Sequence, residues 1–209
     1  VKKSNYKRMW DILSDNNKKV CVVNHPTEYA ARKINGILIA GLLAAIDESS
    51  GIIKEENRSQ LLAYPSKILG ELDKVVNGYY INFKKLSNSP LCEVLDELFT
   101  LTKKRTDATL YLLENYDWDF FNVTLLCLDH LGHILWKYLW QESSTEIGKR
   151  LRKFWTFLDS QIGKILDRLP ANTNVFIISD HGFGGQNKLF AINDWLIKKG
   201  YLKLKSGDF

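Results

Sequence analysis

The chain has 209 residues, of which 45% are hydrophobic and 25% are charged, and its formal net charge is +5. This composition is typical of a soluble globular protein, and the length fits one domain or most of a larger one. The basic residues are scattered among acids, and short runs such as Lys103–Arg105 indicate solvated faces and helix ends. The composition therefore gives little support to a nucleic-acid polymer as partner.

Apolar runs and cysteines bear on the cellular compartment. No apolar run approaches the roughly 20 residues that a membrane span needs, and no segment resembles a signal peptide. Cys21 and Cys127 lie inside apolar runs, which predicts buried thiols, and Cys92 opens a predicted helix. These features favour a reducing compartment, so we expect a cytoplasmic protein. Because the chain starts at Val1 without an initiator Met, we also expect it to be a piece of a longer protein.

The apolar periodicity predicts alternating helices and strands. In chain order these are a helix over Tyr6–Ser14, strands over Val20–Val23 and Gly36–Ala40, helices over Lys67–Val76 and Leu91–Glu114, a strand over Val123–Leu128, a helix over Thr145–Leu169, a strand over Val175–Ile178 and a helix over Ala191–Lys199 capped by Gly200. Residues 79–83 are a candidate fifth strand. The region of about 46–90 is the least regular, and we expect an irregular insertion or a mobile loop there.

This order of elements predicts an α/β fold, with a three-layer αβα arrangement around a mostly parallel sheet. Right-handed crossovers would make the strands at 123–128 and 175–178 parallel, with their carboxyl ends on one edge. Ligands bind at that edge in open α/β sheets, because the chain turns there and its side chains face a crevice. Residues that follow these two strands are therefore the first candidates for a site.

Two Asp–His pairs follow the two predicted strands. Asp180 and His181 are adjacent, so both reach one cation only if the backbone turns between them, which the glycines that follow make feasible. Asp129 and His133 lie four residues apart, which places both on one side of a helical turn. Each pair also has a purely structural interpretation, as an Asp that caps a helix or a turn.

Taken together, the two pairs predict a two-metal site. Two ions about 3.5–4 Å apart clamp the attacking and leaving oxygens of an in-line displacement, and phosphoryl transfer suits this geometry best. Carboxylate and imidazole ligands favour zinc or a transition ion such as manganese over magnesium. His130 more naturally points elsewhere. His25 follows the strand over Val20–Val23, so it is a candidate substrate contact, with local hydrogen bonding as the alternative.

The chain resembles the alkaline phosphatase superfamily, and within it the type I phosphodiesterase/nucleotide pyrophosphatase branch. Ser179–Gly184 matches the S-D-H-G-F/M-G element of the branch, and Asp129-x-x-x-His133 matches its D-x-x-x-H element. Weaker similarity covers nearly the whole chain, at residues 10–13, 22–29, 35–41 and 193–202.

The resemblance implies a hydrolase of phosphate esters with two divalent metal ions, usually zinc, in which residues 1–209 are the central part of one catalytic domain. Asp129 and His133 would hold one ion, and Asp180 and His181 the other. A Thr or Ser nucleophile that forms a covalent phospho-enzyme, and an Asp that shares the second ion, would lie upstream. A further His ligand of the first ion would lie downstream. No catalytic residue is therefore assigned within the 209 residues.

Several alternatives remain open. We expect a fragment of an active enzyme that acts on a small phosphate ester or nucleotide, but the parent could instead be degenerate. A sulfatase or a phosphomutase of the same superfamily would share the metal ligands. A non-catalytic binding module would keep the fold and one ion. Composition and motifs leave the oligomeric state open.

Overall fold

A computed structural model describes residues 6–41, 53–81, 90–139, 145–186 and 188–204. The chain forms two compact units, Val1–Phe176 and Ile177–Phe209, and each is considered by itself. The elements of the first unit are α1 (Met9–Asp15), β1 (Val20–Val23), β2 (Gly36–Ile39), α2 (Glu55–Leu62), β3 (Ala63–Tyr64), α3 (Lys67–Val75), α4 (Leu91–Asn115), β4 (Phe120–Val123), α5 (Cys127–Leu139) and α6 (Glu146–Leu166). The second unit contains α7 (Ile192–Lys198).

The described strands form one mixed sheet in the order β3-β2-β1-β4. β1 is parallel to both β2 and β4, and the short β3 is antiparallel to β2. The register aligns Val20 with Gly36 and Phe120, and Val23 with Ile39 and Val123. The predicted α/β class with a mostly parallel sheet is confirmed.

Helices cover both faces of the sheet, which gives the predicted three-layer arrangement. On one face, Cys21 and Ile37 pack in a cluster with apolar residues of α3 and α4. On the other face, Val22 and Leu38 pack against Trp10 of α1. Because both faces are buried at β1 and β2, these two strands consist of continuous apolar residues rather than an alternating pattern.

A third apolar cluster joins α4, α5 and α6 away from the sheet. Its fully buried members include Leu98 of α4, Leu135 of α5 and Phe154 of α6. Phe154 also makes an edge-to-face contact with Phe99, with ring centroids 5.2 Å apart. This three-helix packing fixes the direction of α5, which carries one of the two Asp–His pairs.

The prediction of a strand over Val123–Leu128 is wrong in its position. The strand runs over Phe120–Val123, where it pairs with β1, and helix α5 begins at Cys127. The apolar residues Cys127, Leu131 and Leu135 recur at helical spacing and face the cluster of α4 and α6. Their burial in a helix interface explains why an apolar run at this point is not a strand.

The predicted strand over Val175–Ile178 is also not formed. The segment pairs with no strand among the described residues, and Phe176 and Ile178 are 84% and 85% exposed. Apolar β-branched residues alone do not make a strand, because β-propensity depends on packing against a neighbouring strand and a buried face.

The predicted helices over 6–14, 67–76, 91–114, 145–169 and 191–199 are confirmed, with ends shifted by a few residues. The region expected to be irregular contains α2, β3 and α3, whose Leu62, Ile68 and Leu72 are fully buried; its remaining parts at 46–52 and 82–89 lie outside the described residues. Tyr79–Ile81 is not a strand, and the rest of that candidate, 82–83, is likewise outside.

Helix α7 ends as predicted at Gly200. The Gly200 amide donates to Ile197 O at 3.0 Å, and the Tyr201 amide donates to Leu196 O at 2.9 Å. Gly200 has a φ of +77°, so this end is a Schellman motif that a glycine satisfies without strain. None of the helices in the described part of the chain is long and apolar enough to cross a membrane.

Candidate metal centre

Three parallel strands of the first unit end at the same edge of the sheet. The register aligns the last residues of β1, β2 and β4, which are Val23, Ile39 and Val123. The Thr124 amide donates to Val23 O at 3.0 Å and is the last link of β4 to its neighbour. Residues that follow these strands therefore lie on one edge, as a ligand site in this fold class requires.

The segment after β1 is tightly held at that edge. Asn24 is fully buried with a φ of +56°; its side-chain amide donates to Ala40 O at 2.7 Å, and its carbonyl oxygen accepts from the Tyr79 hydroxyl. Gly41 approaches so closely that a Cβ there would lie 1.8 Å from His25 O. Only glycine fits this position, because the loops after β1 and β2 are in backbone contact.

His25, the candidate substrate contact, is half-buried at this edge and makes local contacts. Its Nδ1 lies 3.1 Å from Thr27 Oγ1, and its ring packs edge-to-face on Trp10 with centroids 4.7 Å apart. These contacts match the alternative of a loop histidine with local hydrogen bonds. A role in substrate binding stays a prediction.

The first Asp–His pair lies at the start of α5. Asp129 is in the first turn, and its Oδ1 lies 3.5 Å from His133 Nε2, one turn further along the helix. The side chains are 27% and 67% exposed, so the carboxylate is partly sheltered while the imidazole faces solvent. An oxygen and a nitrogen ligand thus face each other at an open position, as the four-residue spacing predicts.

His130, between the two ligand candidates, is in a different environment. Burial lowers the pKa of His130 to about 4, against the opposing effect of the Asp129 carboxylate. The imidazole is therefore neutral at physiological pH. This burial agrees with the expectation that His130 points away from the cation site.

Arg105 of α4 is the feature of this region that the sequence did not predict. The run Lys103–Arg105 was expected to be a solvated face, but the Arg105 side chain is only 2% exposed. Its Nη1 donates to Thr124 O at 3.1 Å and its Nη2 to Ile81 O at 2.6 Å. The signal was present, because Arg105 continues the buried stripe of α4 at helical spacing from Leu101 to Ala108.

The second Asp–His pair belongs to the second unit. Asp180 Oδ1 lies 3.8 Å from His181 Nε2, and the side chains are 87% and 53% exposed. The Ser179 hydroxyl donates to His181 O at 2.5 Å, and His181 Nδ1 lies 3.1 Å from Gly182 O. The backbone bends at Asp180, and the two adjacent side chains approach each other closely enough to share a cation.

The donor chemistry of both pairs fits a divalent metal ion. Each pair offers one carboxylate oxygen and one imidazole nitrogen within 4 Å of each other, the donor types that zinc takes. Among the described residues, no group of three or more His, Cys, Asp or Glu side chains is close enough to hold an ion. The structure thus brings each predicted pair together, and the joining of both pairs into one centre stays a prediction.

A comparison with models of protein families gives a match over nearly the whole chain. A model of the type I phosphodiesterase / nucleotide pyrophosphatase family matches residues 3–208. Comparisons with curated proteins and with solved structures find no match. The match to the family spans both Asp–His pairs and the whole described sheet.

Proposed function

Because the chain belongs to the type I phosphodiesterase/nucleotide pyrophosphatase family, we propose that it forms the central part of a metal-dependent phosphodiesterase with two metal ions. The family hydrolyses phosphodiesters, acts on small phosphodiester and nucleotide substrates and is typically metal-dependent. The proposal adds zinc as the metal and assigns its ligands. It also assigns a Thr or Ser nucleophile to a part of the parent protein outside the 209 residues.

The observation that carries the proposal is the arrangement of Asp129 and His133. Their candidate ligand atoms face each other at 3.5 Å, with Asp129 in the first turn of α5 and His133 one turn further along, shortly after the carboxyl end of a parallel strand. A helix cap would need only the carboxylate, and it would not need an exposed imidazole opposite to it. A metal ligand pair needs both.

In the proposed centre, Asp129 and His133 hold one ion, and Asp180 and His181 hold the other. Bound divalent ions would neutralise the negative charge that develops on the oxygens of the phosphoryl group. The protein contributes two carboxylates that balance the ionic charge and two imidazoles that bind in their neutral form. The exposure of His133 leaves room for a substrate at the edge of the sheet.

His25 is the proposed substrate contact in this scheme. It follows β1, the strand beside β4, so it lies on the same edge as the segment that leads to Asp129. Its packing against Trp10 holds the ring in one orientation. An imidazole there would donate a hydrogen bond to a phosphate oxygen.

The test is an assay of the complete gene product with zinc or manganese on a diester dye, a monoester dye and an aryl sulfate dye. We expect turnover of the diester, and a loss of kcat/KM of about 100-fold or more for Asp129→Asn and for Asp180→Asn. Asp119→Asn is the matched control, because Asp119 lies just before the opposite end of β4 in contact with Lys19. It should retain activity.

The outcomes separate the alternatives. Unchanged turnover in Asp129→Asn or in Asp180→Asn would refute the two-metal assignment. Metal binding without turnover of any dye would indicate a binding module instead of an enzyme. Faster turnover of the sulfate or the monoester would move the assignment to another branch of the superfamily.

A further inference from the structure

Arg105 is buried in the helix α4, and both terminal nitrogens of its guanidinium donate to backbone carbonyls, whereas its Nε has no hydrogen-bond partner among the described residues. Arg105 is 2% exposed, and within the described residues its guanidinium contacts these carbonyls rather than an Asp or Glu side chain. A buried cation without a carboxylate partner is costly, because the charge loses its hydration without a full ionic counterpart. The position therefore calls for an explanation beyond packing.

The two carbonyls that Arg105 binds belong to different segments. Nη1 donates to Thr124 O at 3.1 Å, and Nη2 donates to Ile81 O at 2.6 Å. A guanidinium is planar and carries donors in several directions, so it can bridge two carbonyls that a single ammonium cannot hold in the same geometry. Arg105 thereby ties the segment after β4 to α4 and to the end of the Tyr79–Ile81 segment.

Thr124 begins the short connection from β4 to α5. Its amide closes the last bond to β1, and from there the chain has no further ladder partner. The connection ends at Leu126, whose carbonyl accepts from the His130 amide at 3.2 Å and so opens α5. The bond from Arg105 lies at the point where the strand ends, and it fixes how the chain enters the helix.

We propose that Arg105 is a positioning residue for the metal pair of Asp129 and His133. It anchors the connection that sets where the first turn of α5 begins, and Asp129 lies in that turn. A small displacement of the turn would move the carboxylate relative to the ion, since ligand geometry tolerates little error. This inference rests on the proposed function, because it presumes that the pair binds a metal ion.

The experiment compares Arg105→Met with Lys104→Met in the complete gene product. Lys104 is the neighbouring cation on α4, and it also donates to carbonyls, those of Val76, Asn77 and Gly78. Those carbonyls belong to the turn after α3 and not to the connection before α5. Lys104→Met therefore removes an equivalent set of structural bonds without touching the metal pair.

Two readouts are measured on each variant. Titration with Co²⁺, followed by its visible absorption as a stand-in for zinc, should give a 10- to 100-fold weaker affinity for Arg105→Met, as for other residues that orient ligands. Amide hydrogen exchange at residues 126–130 should become roughly tenfold faster, because Thr124 O loses its buried donor. Lys104→Met should change neither readout at these residues.

A conservative replacement of Arg105 completes the set of variants. Arg105→Lys keeps the charge but reaches one carbonyl, so its Co²⁺ affinity should fall between those of the wild type and Arg105→Met. It also decides the question if Arg105→Met does not fold. Wild-type affinity and exchange in both Arg105 variants would overturn the positioning role.

Failure of the proposed function would give a different pattern of Co²⁺ affinities. If the wild type binds no Co²⁺, or if Asp129→Asn binds it as tightly as the wild type, the metal assignment is refuted and the positioning role with it. If Asp129→Asn loses affinity while both Arg105 variants keep it, only the positioning role is refuted.

Discussion

Burial, rather than distance, should decide how much each ion pair around α1 contributes to stability. Glu28 is 1% exposed, with its Oε1 2.7 Å from Arg8 Nε and its Oε2 3.6 Å from Arg32 Nε. Lys7 and Asp15 form a pair of similar length, at 2.6 Å, but their side chains are 68% and 55% exposed. The two carboxylates thus differ mainly in their access to water.

The perturbation is Glu28→Gln, which removes the charge and keeps the shape. Breaking a fully buried ion pair costs about 3–5 kcal/mol. Here both arginines are about one third exposed, and Arg8 Nε is not aligned as a hydrogen-bond donor to Oε1, so their charges regain part of their hydration. We therefore expect Glu28→Gln to lower the free energy of unfolding by about 2–3 kcal/mol, against less than about 1 kcal/mol for Asp15→Asn.

The assay is urea unfolding followed by circular dichroism, at low salt and in 1 M NaCl. The loss for Glu28→Gln corresponds to a decrease in Tm of roughly 5–10 °C for a domain of this size, and it should persist in high salt because buried charges are weakly screened. The loss for Asp15→Asn should nearly vanish in salt. Equal losses for both variants, or a Glu28→Gln effect that salt abolishes, would refute the reasoning.

Three further predictions concern packing, pH and a helix end. Phe154→Ala should lower the free energy of unfolding by about 3–5 kcal/mol, because Phe154 is fully buried. Trp155→Ala should lower it by under half of that, because Trp155 is 45% exposed. Chemical denaturation of both variants measures the difference. The hydrogen bond from the Tyr116 hydroxyl lowers the pKa of Glu71, so the stabilisation is present above about pH 4 and is lost as the pH falls further. Tyr116→Phe should therefore destabilise the protein at pH 7 more than at pH 3. A difference in the free energy of unfolding that does not depend on pH would contradict this. Gly200→Ala should weaken the end of α7, by about 1 kcal/mol, which hydrogen exchange at Tyr201 would detect and a wild-type rate there would exclude.

The sequence predicts this fold well where one periodicity dominates. Val20–Val23 is a short run rich in β-branched residues between turn residues, and it forms β1. The run from Val123 to Leu128 misled the prediction, because an apolar run shows burial but not the conformation that buries it. Only the helical recurrence of Cys127, Leu131 and Leu135 against α4 and α6 distinguishes the two, and that recurrence extends beyond the run itself.

The candidate site was predictable at the level of pairs. The spacing of Asp129 and His133 fixes their contact through helix geometry, and no long-range information is needed. Arg105 could not be assigned a role in the same way, because its partner carbonyls lie 19 and 24 residues away along the chain. The identity of a side chain does not show which distant carbonyls its donor groups will contact in the folded chain.

The exposed segment over Val175–Ile178 has a practical consequence for handling the protein. Four consecutive uncharged residues of high β-propensity, three of them more than 75% exposed, form the kind of sequence that templates intermolecular strand pairing. A preparation of the 209-residue chain should therefore self-associate at high concentration, and Ile177→Lys should suppress this without changing the helix content. Light scattering at increasing concentration measures it, and equal scattering by both proteins would place the cause of association elsewhere.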